Sequence, residues 1–175
     1  MIIKQLASII LFTILGLATP ANAFNPQHLE ILRQTKQCRG CDLSGVDLSL
    51  ADLTNADLRN AYLAGANLQG ANLSGARLVR ADLSRVNLSQ ALIVGADLQQ
   101  AHLGNANLSG ADMKLSRLKF ANFIGADLSY TDLSGAVLMG AVLIDANVVG
   151  VDLSRSFLQR TTMPDGSIRT SSPND

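Results

Sequence analysis

The stretch NLQGANLSGARL, Asn67 to Leu78, carries a leucine at every fifth residue: Leu68, Leu73 and Leu78. An α-helix advances about 100° per residue, so leucines five apart step about 140° and leave no apolar stripe. A flat strand fails as well, because leucines five apart alternate between its faces. Within one unit, however, the alanine two before each leucine shares its face. The geometry that fits is a short extended piece with both residues inward, followed by a turn that restores the phase. Asp, Asn and Gly supply such turns.

Working outward, the register holds from Cys41 to Arg160, which is 24 pentapeptides without an insertion. Leu fills 20 of the 24 central positions, and Ile93, Met113, Phe123 and Val148 fill the rest. Ala fills 17 of the 24 positions two before the centre, and Asp or Asn fills 16 of those just before it. Ser is favoured just after the centre and Gly after that. Repeated, the unit makes an all-β solenoid whose coils stack at strand spacing, about 4.8 Å.

Runs such as ADLTNADLRNAYLAGANLQGANLSGARL, Ala51 to Leu78, resemble the A(D/N)LXX pattern of the pentapeptide-repeat proteins. The resemblance implies a right-handed quadrilateral β-helix with one pentapeptide per side and 20 residues per coil. On that plan this chain makes about six coils, roughly 29 Å tall. Leucines form inner columns, and small residues sit where the walls approach.

The ends read differently. Lys4, the apolar run Leu6–Ala18 and the small-x-small motif Ala21-Asn22-Ala23 read as a cleaved signal peptide, residues 1–23. Thirteen apolar-rich residues are short of the roughly 20 that cross a bilayer. Removing Lys4 leaves 13 basic and 14 acidic residues, a net charge of −1. Residues 24–37 read as a capping helix, with Asn25 as N-cap, Pro26 in the first turn, and Leu29 and Leu32 on one side. The repeat body is 38–160, and residues 161–175 are a C-terminal cap and tail. In that last segment Pro164-Asp165-Gly166 turns the chain so that Ile168 folds back over the last coil. Cys38 and Cys41 both fall on inward phases, and in an exported protein their spacing favours a short-loop disulfide pinning the helix. A zinc site would need two more ligands, and His28 and His102 have no ligand spacing. No metal or other cofactor is expected.

Taking every fourth repeat together assigns residues to sides. One side collects Arg59, Arg77, Arg80, Arg117, Lys119 and Arg160 against Asp57 and Asp97, a balance of +4. Asn67, Asn87 and Asn107 stack on another side, placed to form an amide ladder. Near the C-terminal end Phe120, Ile124, Val137, Met139, Val142, Ile144 and Phe157 occupy positions that point outward. They converge on one apolar corner. Exposed apolar clusters of this kind mark contact surfaces.

Asp82, His102 and Ser84 come close in this plan and superficially supply orienter, base and nucleophile. They sit at ordinary repeat positions on a convex wall, with no cleft to hold a substrate. The reading is therefore a non-enzymatic exported protein, an interaction or scaffold module of the periplasm or thylakoid lumen. Small exported pentapeptide-repeat proteins of photosynthetic organisms are similar. The expected partner is a protein or a second copy of the chain, with nucleic acid and membrane not expected. The basic side suits an acidic protein or a polysaccharide. The alternative comes from the resemblance: some family members mimic duplex DNA and bind gyrase. Those rely on an acidic surface and cytoplasmic residence, and neither fits one basic side behind a signal peptide.

Overall fold

A computed structural model describes residues 24–170. The expected signal peptide and the end of the tail lie outside the described residues. The body repeats one local event. Each pentapeptide closes with a tight turn in which the N–H of one small residue donates to the preceding central carbonyl, as from Ala71 to Leu68 at 3.0 Å. Of the 25 corner residues from Gly40 to Arg160, all but Arg155 have positive φ. With φ positive only at the second central position, the turn is type II, for which glycine is the usual residue. Here 13 of the 24 left-handed corners are not glycine.

Successive turns of the chain are held by parallel bridges between residues 20 apart. They run from Gln37–Asp57 to Val142–Thr162 with a single omission, Asp132–Asp152. A corner every five residues and a pairing every 20 gives four faces. Face 1 carries the centres Cys38, Leu58, Leu78, Leu98, Leu118, Leu138 and Leu158. Face 2 runs through Leu43 to Leu143, face 3 through Leu48 to Val148, and face 4 through Leu53 to Leu153. Each flat is too short for a continuous strand, so the pairing is by isolated residues. The regular strands are two-residue pieces, β1 (Thr161–Thr162) and β2 (Ile168–Arg169), paired antiparallel.

The interior is the sum of the inward columns. Leu58, Leu98 and Phe123 are fully buried, as are most of the alanines two before each centre. Four of those small sites carry hydroxyls. Thr131, Ser156 and Thr161 donate to the Leu108, Leu133 and Leu138 carbonyls at 2.8–2.9 Å, while Ser116 Oγ is buried without a partner. The wall loosens at its last rung. Gly135 N–H donates to Arg155 O, a shift of one residue from the usual offset, and Arg155 loses the corner conformation. No further rung covers Val148 and Leu153, which are only partly buried.

The helix α1 (Pro26–Thr35) caps with Asn25, whose Oδ1 accepts the Gln27 N–H at 2.9 Å, and ends on left-handed Lys36. Its contact with the first turn of the wall replaces a missing rung. Asp42 N–H donates to His28 Nδ1 at 2.9 Å, and Asp42 O accepts the Asn25 N–H at 3.1 Å. Leu32 is buried in the core, and Leu29 packs beside it. At the other end, Ile168 does not fold over the last rung as expected. It lies on the β1–β2 hairpin, 62% exposed, because the pairing with Thr162 directs the strand along the wall's edge.

Candidate functional site

Why the wall prefers Asp or Asn before each centre is visible in its hydrogen bonds. Every one of those 16 side chains accepts the backbone N–H two residues on, as Asp82 does from Ser84 at 3.0 Å. The N–H that precedes each corner is thereby satisfied by a local side chain. Charge and donors depress several of these carboxyls. Ser134, through its hydroxyl and N–H, and then the Lys114 ammonium hold Asp132 down at about 2. The Lys36 ammonium, then Thr54, holds Asp52 well below the carboxylate range.

Eight repeats give up this acceptor: Tyr62, Arg77, Leu92, His102, Arg117, Val137, Val142 and Phe157 stand in its place. Three of the eight belong to the apolar cluster. Val137 pairs across the ladder with Phe157 on face 1, and Val142 pairs between Asn122 and Thr162 on face 2. Ile124 and Ile144 occupy successive rungs of face 2, joined through the Gly125 N–H to Ile144 O bond of 2.9 Å. Phe120 is the corner residue between these faces. A Cβ on Gly140, one rung above, would come within 2.6 Å of its ring, so the ring packs against the glycine. Phe120 N–H donates to Met139 O at 3.0 Å. The seven predicted residues are therefore brought together on one corner, with Phe120 61% and Phe157 46% exposed. Leu50, Tyr62, Leu92 and Leu115 are exposed too, but on different faces or rungs.

Face 1 is basic below this corner. The ladder aligns Asp57, Arg77, Asp97 and Arg117, with Arg59 and Lys119 beside them and Arg80 and Arg160 at the corner. Arg39 joins them on the first rung. A register counted from Cys41 leaves it out, although Cys38 already holds the repeat phase. Seven cations against Asp57 and Asp97 give face 1 a balance of +5. The described residues contain 13 basic and 13 acidic side chains, so everything else sums to −5. Arg59 pairs with Asp57, and Arg117 with Asp97 at 3.4 Å. Arg80 Nε donates to Gln100 Oε1 at 2.6 Å. Arg39, Arg59, Arg80, Asn60, Val79, Gln99 and Gln100 line a shallow groove. The continuous acidic surface that DNA mimicry requires is interrupted by this face.

The amide ladder of face 3 forms in part. Asn67 Nδ2 donates to Asp47, and Asn87 Nδ2 to Asn67, both at 3.1 Å. It stops at Asn107, because Asn87 Oδ1 already accepts the Ser89 N–H and hydroxyl. Asp82 and His102 are ladder partners, but their side chains form no ion pair. Asp82 accepts from Ser84 instead, so the three residues make no relay. Cys38 and Cys41 are joined in a disulfide, buried beneath α1, with the His28 carbonyl oxygen 3.2 Å from Cys38 Sγ. Among the described residues no group of His, Cys, Asp and Glu is arranged to hold a metal ion. Among them, too, no helix is long and apolar enough to cross a membrane.

Three solved structures of pentapeptide repeat proteins are similar to this chain. HetL, a pentapeptide repeat protein involved in heterocyst differentiation regulation from the cyanobacterium Nostoc sp. strain PCC 7120, is 37% identical. The match covers 76% of this chain and 66% of HetL, with a TM-score of 0.48. Alr5209, a pentapeptide repeat protein from Nostoc PCC 7120, is 26% identical over 73% of this chain and 87% of its own, with a TM-score of 0.45. A pentapeptide repeat protein of the Arabidopsis thaliana thylakoid lumen, AT2G44920, is 29% identical over 75% of this chain and 70% of its own, with a TM-score of 0.19. No curated protein matches. The Pentapeptide repeats family profile matches eight copies, in segments 37–68, 51–93, 81–119, 91–129 and 121–160. The chain belongs to the pentapeptide-repeat family, whose members fold as right-handed quadrilateral β-helices.

Proposed function

We propose that this protein is a non-enzymatic interaction or scaffold module that works outside the cytosol, in a periplasm or thylakoid lumen. Six coils capped by α1 make a rigid wall that presents the apolar corner to a protein partner or a second copy. One observation carries this reading. Val137, Val142 and Phe157 replace the Asx acceptor that the repeat uses elsewhere, each forgoing a hydrogen bond of about 1 kcal/mol, and all three lie on that corner. Seven of the eight losses fall on faces 1 and 2, which meet at that corner, and one, Leu92, on face 4, whereas drift at a tolerant surface would scatter them over all four. A contiguous exposed apolar patch of this kind marks a contact surface. Location outside the cytosol rests on the signal-like N-terminus and is consistent with the buried Cys38–Cys41 disulfide.

Val142→Asn with Ile144→Asn tests the corner. Sedimentation velocity of the chain from Phe24 onward should give a mass above the monomer, or capture from the exported compartment should retain a partner. The double variant should lose whichever is seen while melting as before. A strict monomer whose partners survive the double substitution would end this reading.

A further inference from the structure

Face 1 holds cations in a way the fold itself does not reward. Arg39 and Arg59 occupy the same column on successive rungs, where like charges directly opposite are destabilising. Arg39, Arg77, Lys119 and Arg160 form no ion pair among the described residues, whereas Lys114 on face 4 is held by both Asp112 and Asp132 at about 3 Å. The carboxylates that could neutralise face 1 are placed on the other faces. The basic column also does not end at a boundary. Arg117 pairs across the ladder with Val137, which pairs with Phe157, so the cationic strip runs straight into the apolar corner.

We propose that face 1 and the apolar corner form one binding strip for an extended protein segment, acidic along most of its length and apolar at one end. The acidic part lies over the arginines, and the apolar end lies against Val137, Phe157 and Phe120. This rests on the interaction reading above and names the partner's chemistry. The dimensions suit a single extended chain. From Arg39 to Phe157 there are six rung spacings of about 4.8 Å, roughly 29 Å, which about nine extended residues span. The strip is one pentapeptide wide, and the two faces that flank it, 2 and 4, together carry −4. That width fits a strand-like ligand and not a plane of anionic lipid. The apolar end sets the ligand apart from a polysaccharide, which has nothing to place there.

A fluorescein-labelled nonapeptide, six alternating Asp and Glu followed by Gly-Phe-Leu, is the probe, and anisotropy is the readout. Binding should weaken at least about tenfold between 50 mM and 500 mM salt, because exposed charge contacts are screened. Arg77→Glu with Arg80→Glu should weaken it comparably. Val137→Asn with Phe157→Asn should remove the advantage of this peptide over an anchorless acidic hexapeptide. A phase variant tests continuity. Deleting residues 87–91 rotates everything beyond by one face and separates the apolar corner from Arg39, Arg59, Arg77 and Arg80, while the five-residue repeat is kept. Deleting 87–106 removes one full turn and restores alignment. If both variants melt cooperatively, only the five-residue deletion should lose anchored binding.

Equal affinity for the anchorless peptide, indifference to the charge reversals, or equal binding by the two deletions would overturn the proposal. So would co-sedimentation with phosphatidylglycerol vesicles that the peptide fails to displace, which would make a membrane the occupant. These results are separable from failure of the broader reading. Self-association lost on Val142→Asn with Ile144→Asn, alongside no peptide binding, removes only the acidic strand.

Discussion

At the residue scale, the five-letter repeat is a division of labour enforced by backbone geometry. The central leucine and the small residue before it fill the interior, the Asx side chain satisfies one N–H, and the corner residue takes positive φ. The corner rule includes a pairing between rungs that no single pentapeptide reveals. Bulky corner side chains point along the axis and lie over a glycine one rung on: Leu50 over Gly70, Leu115 over Gly135, Phe120 over Gly140 and Tyr130 over Gly150. Gly45 has the same left-handed φ but nothing within 4 Å of a Cβ. Gly45→Ala should therefore cost only the conformational term, about 1 kcal/mol. Gly140→Ala should cost clearly more, since the Phe120 ring must move, and paired thermal melts compare them. Acid sensitivity belongs at this scale too. Asp47, Asp52, Asp127, Asp132 and Asp152 all have pKa values lowered on folding by Ser, Thr or Lys donors. A depressed folded pKa stabilises above the unfolded value near 4, and that stability is lost as pH falls through the folded value. The melting temperature should decline between about pH 4 and pH 2. Changing these five residues to Asn should flatten the decline, because Asn keeps the Asx acceptor without a titrating charge. An unchanged acid profile in that variant would place the sensitivity elsewhere.

At the element scale, the two ends of the wall are handled unequally. α1 replaces a rung by giving Asp42 both a donor and an acceptor, and the Cys38–Cys41 disulfide sits beneath it. Its short loop constrains little of the unfolded chain, so Cys38→Ser with Cys41→Ser should cost only about 2 kcal/mol globally. His28→Ala removes the acceptor for Asp42 N–H and should act locally. Hydrogen exchange at Asp42 and Leu43 should quicken while the amides around Leu98 stay protected. Uniform acceleration through Leu98 would mean that the cap is needed by the whole wall. The helix was legible in the sequence because Asn25, Pro26, Leu29 and Leu32 are local signals. The His28 contact was not, because a ring nitrogen standing in for a carbonyl leaves no pattern. Ile168 was misplaced for a related reason. Its apolarity suggested burial, while the hairpin that holds it at the edge is set by pairing with Thr162.

At the scale of the whole molecule, the period alone predicted a solenoid and the inward columns. The corner that gathers Phe120, Val142 and Phe157 followed only from the four-sided plan that the family resemblance implies, in which residues 20 apart are neighbours. Arg39 escaped because the repeat was started one unit late. The break at Asp152 escaped because Asp152 and Arg155 are residue types that intact repeats also carry. On the proposed reading, the repeat builds the wall, and departures from the repeat on one corner serve contact, not folding. Reverting three of them, Val137→Asp, Val142→Asn and Phe157→Asn, restores Asx acceptors to three unpaired N–H groups. The direct measurement is the melting temperature of this triple variant. That value should equal the parent's or exceed it by a few degrees, at about 2–4 °C per kcal/mol regained. A fall of several degrees would contradict that reading, because the apolar corner would then be part of the fold's own core.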